Sequence, residues 1–145
     1  MAKSNPIFKI ESFGIYDGFN VVGKSLPKIN QHTAVIPAKI DIEFGLTLSA
    51  KKAKGITLNW YIKHPNICDK KGREMPPFEG NVIVRNNDWR FYLGDTIWLP
   101  VDDKAGNWHM YIEYNNNVVA EQSFEVTLDD LESQNERRFW KSRGF

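Results

Sequence analysis

The stretch Gly106–Val126, GNWHMYIEYNNNVVAEQSFEV, decides how the rest of the chain is read. Trp108, Met110, Ile112 and Tyr114 alternate with Asn107, His109, Tyr111 and Glu113, the two-residue period of a strand with one buried face. Beyond three asparagines, Val118, Ala120, Gln122, Phe124 and Val126 alternate with Val119, Glu121, Ser123 and Glu125. Slipping a strand by one residue turns every side chain over, so the loop that keeps both apolar rows on one face can be worked out. A two-residue turn at Asn116-Asn117 sets Tyr114 opposite Val119 and turns the second row outward. A three-residue loop, Asn115 to Asn117, sets Tyr114 opposite Val118, Ile112 opposite Ala120 and Trp108 opposite Phe124. Asparagine tolerates the left-handed backbone this loop needs, and Asn117 stands where it is required. The expectation is a β-hairpin with one wet face.

Working outward, the same period recurs. Ile40, Ile42, Phe44, Leu46 and Leu48 alternate with Asp41, Glu43, Gly45, Thr47 and Ser49, and Ile56, Leu58, Trp60 and Ile62 with Thr57, Asn59, Tyr61 and Lys63. In IFKIESFGIYDG, residues 7–18, the phase slips between Phe8/Ile10 and Phe13/Ile15, which predicts a bulge near Ser12 or Gly14 or a strand that changes sheet. Residues 19–32 read as a loop or short edge segment, and Thr33–Pro37 as a short extended piece. From His64 to Gly80 the chain carries Pro65, Gly72, Pro76 and Pro77, so a long irregular loop is expected. It is either functional or an edge segment packed by Ile67, Met75 and Phe78. Short strands follow at about Asn81–Arg85, Trp89–Leu93 and Thr96–Val101, and DDKAGN forms the turn into the hairpin. After Val126 the period is lost and charge rises, giving a short C-terminal helix capped at Thr127 or Asp129, or a frayed tail.

These elements predict an all-β fold, an antiparallel sandwich of seven to nine strands over residues 1–126 with a helix or tail over 127–145. Composition agrees. The 145 residues hold 19 basic and 18 acidic side chains, too balanced for a global pull toward nucleic acid or an anionic membrane. Aromatic content is 13%, with five tryptophans, which suits large side chains packed between sheets. The single cysteine, Cys68, excludes an intrachain disulfide and fits a reducing compartment. No apolar run is long enough for a signal peptide or a membrane span, so the chain reads as a cytoplasmic protein.

Several residues resemble the immunoglobulin-like pattern. Trp60 lies on the third long strand, as that family's core tryptophan does. Leu46 and Met110 fall where the family places its bridge cysteines, so the resemblance implies apolar contact in place of the bond. Asp103-Lys104-Ala105 ahead of Trp108 resembles the turn and corner aromatic before the sixth strand, one residue longer. More closely, FGIYDG (Phe13–Gly18), IPAKIDIEFGLTL (Ile36–Leu48), GNW (Gly106–Trp108) and AEQSFEV (Ala120–Val126) are similar to a bacterial family known only as a domain of unknown function. The resemblance implies a bacterial source and a stand-alone sandwich, and supplies no substrate, cofactor or catalytic residue.

Catalytic constellations are absent from the sequence: no phosphate loop, nucleophile elbow, HExxH or paired CxxC. His32, His64 and His109 lack ligand spacing, and Cys68 has no adjacent base, so no metal, cofactor or nucleophile is expected. Asp102, Asp103 and Asp17 read as turn residues. The outward faces carry more information. With the Trp60 and Trp108 strands as neighbours, Asn59, Tyr61, Lys63, His109, Tyr111 and Glu113 share one wet face, beside Glu121 and Ser123. Tyrosines among mixed polar groups match the make-up of protein-binding surfaces, and the alternative is an ordinary solvated sheet. The expected function is a non-catalytic protein-interaction or assembly module, with a protein partner or a homodimer across this face. The rival is a sugar- or peptide-binding domain using aromatics near the 64–80 loop, with Trp89 and Trp98. The basic, aromatic tail Glu136–Phe145 either docks on the sandwich or touches an anionic surface weakly.

Overall fold

A computed structural model describes residues 5–17 and 26–128, and these form nine strands in two sheets. The first sheet contains β1 (Ile7–Tyr16), β2 (Ile29–His32), β4 (Glu43–Lys51) and β7 (Asp88–Thr96), in the order β2-β1-β4-β7. The second contains β3 (Val35–Pro37), β5 (Thr57–Lys63), β6 (Phe78–Ile83), β8 (Gly106–Tyr114) and β9 (Asn117–Thr127), in the order β3-β9-β8-β5-β6. Among the described pairs only β3 and β9 run parallel.

The predicted apolar rows meet between the sheets. Phe44, Leu46 and Leu48 of β4, Trp108, Met110 and Ile112 of β8, and Phe124 and Val126 of β9 are sealed from solvent. Phe44 packs edge-on against Trp108 at 5.2 Å and against Phe124 at 5.4 Å, the arrangement that aromatic quadrupoles favour. Trp108 also donates its indole N–H to the Lys104 carbonyl at 2.7 Å, tying β8 to a 3-10 turn at Asp102–Lys104. This bond does the work of the corner aromatic expected there. Lys104 is itself fully buried; its ammonium donates to Pro100 O and Asp103 and lies 4.2 Å from the centre of the Trp98 ring.

The phase slip in β1 is a bulge. Ile10 pairs with Leu48 and Ser12 with Thr47, so Glu11 is the extra residue and Phe8, Ile10, Phe13 and Ile15 all pack against the core.

Five expectations need correction. The hairpin turns on Asn115-Asn116 alone, both with positive φ (53° and 65°), and Tyr114 pairs with Asn117 instead of Val118. A bulge at Val119 then restores the Ile112–Ala120 and Trp108–Phe124 pairs, so the core register stands while Val118 is half-exposed. Second, β4 begins only at Glu43, leaving Ile40 51% exposed. Third, Trp60 is half-buried at the margin of the core, whereas Trp108 is sealed. Fourth, Trp89–Leu93 and Thr96 belong to one strand, β7, that runs through Gly94; Ile97–Val101 lies outside any strand, with Ile97 still bonded to Ile42 O and Asp41 N through its backbone. Fifth, the outer face of β4 is not wet: Glu43, Thr47 and Ser49 are buried.

The cause of the last lies in three glycines. Gly14, Gly45 and Gly94 pair in one row across β1, β4 and β7. A Cβ on Gly94 would lie 2.1 Å from the Tyr92 hydroxyl and 2.5 Å from Phe44 O, so the bare backbone is what lets the Tyr92 ring lie flat on the sheet. Tyr16 meets Tyr92 edge-on at 4.8 Å, and together they roof the row. Tyr92 donates to Glu43, as does Thr96; Thr47 donates to the Tyr16 hydroxyl at 3.1 Å, and Ser12 lies 2.7 Å from it. The buried carboxylate is held by hydroxyl donors, which is the condition for burying one at all. The expected C-terminal helix lies outside the described residues; within them, Thr127 ends β9.

Candidate functional site

Sheet register assembles the outward face residue by residue. β5 pairs with β8 so that Asn59 faces Glu113, Tyr61 faces Tyr111 and Lys63 faces His109. β9 adds Ser123 beside His109 and Glu121 beside Tyr111, and β6 adds Asn81 beside Asn59 and Glu79 beside Tyr61. All six residues predicted for the site, Asn59, Tyr61, Lys63, His109, Tyr111 and Glu113, therefore stand on adjoining positions of one exposed surface. Its central row crosses four strands and reads Glu121, Tyr111, Tyr61, Glu79.

The rings of this face form a ladder. Tyr61 stacks on Tyr111 at 4.8 Å and 20°, and His109 stacks on Tyr111 at 5.1 Å and 29°. Lys63 Nζ lies 5.4 Å from the Tyr111 ring centre, and His109 Nε2 lies 3.8 Å from Glu121 Oε2. Cross-strand aromatic pairs of this kind stabilise a sheet and also hold each ring in one orientation. Desolvation raises the Tyr61 hydroxyl pKa above its usual value, with Glu113, Glu79 and Tyr111 adding to it. The phenol thus stays protonated at neutral pH, a hydrogen-bonding group and not a nucleophile.

Two grooves border Tyr61. One of about 590 Å³ is lined by Tyr61, Tyr111 and Lys63 and walled by Pro76, Pro77, Phe78 and Glu79. A smaller one, about 170 Å³, lies toward β6 between Tyr61, Asn59 and Glu79–Asn81. The wall was not foreseen as part of the tyrosine face. The alternation of Phe78, Gly80 and Val82 with Glu79, Asn81 and Ile83 was the available signal, masked by the prolines just before it.

The end of the 64–80 loop is held in place by His64, whose Nδ1 lies 2.7 Å from Pro65 O and whose Nε2 lies 2.9 Å from Pro76 O. Ile67 is buried, and Met75 and Phe78 pack on the core, so the loop is a packed edge segment. The two tryptophans assigned to a ligand pocket beside it do not open there. Trp98 packs against Trp108 (6.4 Å) and Phe78 (6.2 Å), and Trp89 stacks on Phe91 (5.6 Å) in the other sheet. Cys68 is exposed and bridges Glu74 through the backbone, and the Asp17 carboxylate accepts from Asn30 at 2.9 Å. Among the described residues no three His, Cys, Asp or Glu side chains converge to hold a metal. Residues 136–145 lie outside the described part.

The strand order and the corner bond at Trp108 define an immunoglobulin-like β-sandwich. An immunoglobulin-like protein from Pseudomonas aeruginosa superposes with a TM-score of 0.69 over 88% of this chain and 100% of its own, at 19% identity. That likeness is one of fold, and its bacterial source agrees with the resemblance read from the sequence. An alkylpurine DNA glycosylase from Pseudomonas fluorescens, bound to DNA containing an abasic-site analogue, superposes with a TM-score of 0.42 at 13% identity, over 82% of this chain and 30% of the enzyme. No curated protein matches. Residues 4–126 match the family described as a domain of unknown function (DUF3859), and the chain belongs to it. Among the described residues no helix is long and apolar enough to cross a membrane.

Proposed function

We propose that this domain is a non-catalytic protein-interaction module that receives a partner, another protein or a second copy of itself, on the outer face of its five-stranded sheet. The observation that carries the reading is the Tyr61–Tyr111–His109 ladder: three rings stacked on a rigid sheet and left half-exposed, with carboxylates, amides and a lysine around them. Rigid aromatics with a polar surround provide large contact area at low entropic cost. The cytoplasm is the proposed setting, supported by the unpaired, exposed Cys68. A sugar or peptide stacked on the same tyrosines in the 590 Å³ groove is the second reading, favoured by the proline wall. Tyr61→Ala/Tyr111→Ala should abolish self-association in sedimentation or partner capture from a bacterial lysate while leaving the circular dichroism spectrum unchanged. A folded double variant that sediments and captures as the parent does would refute the assignment.

A further inference from the structure

The tyrosine face has a chemistry of its own that narrows what it receives. Among the described residues of its strands, Glu79, Glu113, Glu121 and Glu125 stand on the outer side of the five-stranded sheet, against Lys63 and the imidazole of His109. The chain as a whole carries +1, so this face is negative on a molecule that is not. Anionic partners such as phosphate backbones and acidic lipid surfaces are repelled from it.

The charges are also spaced. Glu121 and Glu79 end the row whose middle members are Tyr111 and Tyr61. Three strand-to-strand steps separate them, about 14 Å at about 4.8 Å per step. A peptide laid across the strands in extended form advances about 3.4 Å per residue, so its residues i and i+4 are also about 14 Å apart and point the same way, with i+2 midway. Basic side chains at i and i+4 then reach the two glutamates while the residue between them rests on the tyrosine rings. Beside Tyr61, the 170 Å³ groove that contains Glu79 has room for one planar cation against the ring with a carboxylate at its edge. Arginine suits such a site, because its guanidinium stacks on aromatics and pairs with carboxylates.

The geometry points to an extended peptide segment of the pattern basic–x–aromatic–x–basic as the occupant of this face, crossing it from Glu121 to Glu79. The inference rests on the interaction-module reading and adds the partner's chemistry to it. The chain's own sequence contains one instance of the spacing, Arg137, Phe139 and Lys141, which supplies a natural probe.

The test titrates full-length protein with a synthetic peptide of residues 136–145, and with the same composition scrambled to separate its bases, followed by isothermal calorimetry and tyrosine ring resonances. The ordered peptide should bind at least tenfold more tightly than the scrambled one and perturb the Tyr61 and Tyr111 resonances. Glu79→Gln/Glu121→Gln should weaken it about tenfold, and raising salt from 50 to 500 mM should weaken it similarly. Equal binding of both peptides, indifference to the glutamate changes, or no binding at millimolar peptide would overturn the inference. If the tyrosine double variant still loses lysate capture while the peptide does not bind, the docking face stands and the basic-peptide assignment falls. If neither capture nor self-association depends on the tyrosines, both fall.

Discussion

Asp95 provides the sharpest test of how the sandwich is held together. It is the next-to-last residue of β7, on the inward-facing side opposite Phe44, and accepts the Thr96 N–H at 2.8 Å. Burial pushes its carboxyl up from 3.8 to about 6, and nearby Glu43 reinforces the shift; the Thr96 hydrogen bond, His64 and Lys104 pull the other way. The folded protein therefore binds this proton more tightly than the unfolded chain does. The resulting stabilisation is complete below the unfolded pKa and is lost as pH rises through about 6. A shift of roughly two units, at 1.36 kcal/mol each, corresponds to at most about 3 kcal/mol between pH 4 and pH 8.

Asp95→Asn removes the titration and keeps an oxygen for Thr96. Relative to the parent, the variant should be nearly equal in stability at pH 4 and more stable at pH 8 by up to about 3 kcal/mol. For a domain of this size that is a rise in Tm of up to about 10 °C. Urea unfolding followed by tryptophan fluorescence at five pH values between 4 and 8 measures it, and other titrations common to both proteins cancel in the difference. A difference that stays constant across the series, or a variant less stable at pH 8, would refute the assignment of Asp95 as a carboxylate ionised against its surroundings.

Substitutions at three further positions probe the frame. Gly94→Ala places a Cβ 2.1 Å from the Tyr92 hydroxyl and displaces it from Glu43, so thermal unfolding should register a loss of about 2–4 kcal/mol. Trp108→Phe removes the 2.7 Å bond to Lys104 O and leaves a void, and chemical denaturation should show a cost of about 2–4 kcal/mol. Asn116 holds φ at 65°, so Asn116→Ala should cost about 1 kcal/mol in the same assay while Asn116→Gly costs nothing.

Period-two alternation carried most of the fold because it reports a physical constraint, one dry and one wet side, that strands on the core must obey. It placed Phe44, Leu46, Trp108 and Phe124 in the core and put the six site residues on one face. It failed where burial has another origin. Glu43, Thr47 and Ser49 sit in outward register as expected, yet are buried: Glu43 and Thr47 lie under tyrosines from neighbouring strands that the glycine row lets lie flat, and Ser49 lies between Lys9 and Arg90. No window along β4 contains that information, because Gly14 and Gly94 are remote in sequence. The hairpin loop failed differently: a turn one residue shorter and a bulge at Val119 give the same core pairs. Alternation fixes the face and leaves such compensating shifts undetermined.

The same contrast singles out the site. The sandwich has a tyrosine pair on the outside of each sheet. Tyr16 and Tyr92 are buried, their hydroxyls engaged with Ser12, Thr47 and Glu43, and the Tyr92 phenol is driven upward by desolvation and that carboxylate. A pair so covered has little left to offer a partner. Tyr61 and Tyr111 lie on a sheet without a glycine row beneath them; their rings stack on each other and remain half-exposed between Glu79 and Glu121. Backbone bareness under one pair and ordinary side chains under the other decide which tyrosines the fold consumes and which it presents. Engineering glycine at Asn59 and Glu113, the row next to Tyr61 and Tyr111, should therefore let those rings collapse onto the sheet, a loss of stacking read from their ring resonances and separate from the loss of the two side chains, which belong to the same face. A folded Asn59→Gly/Glu113→Gly variant whose rings still stack would show that ring posture is set by something other than the space beneath.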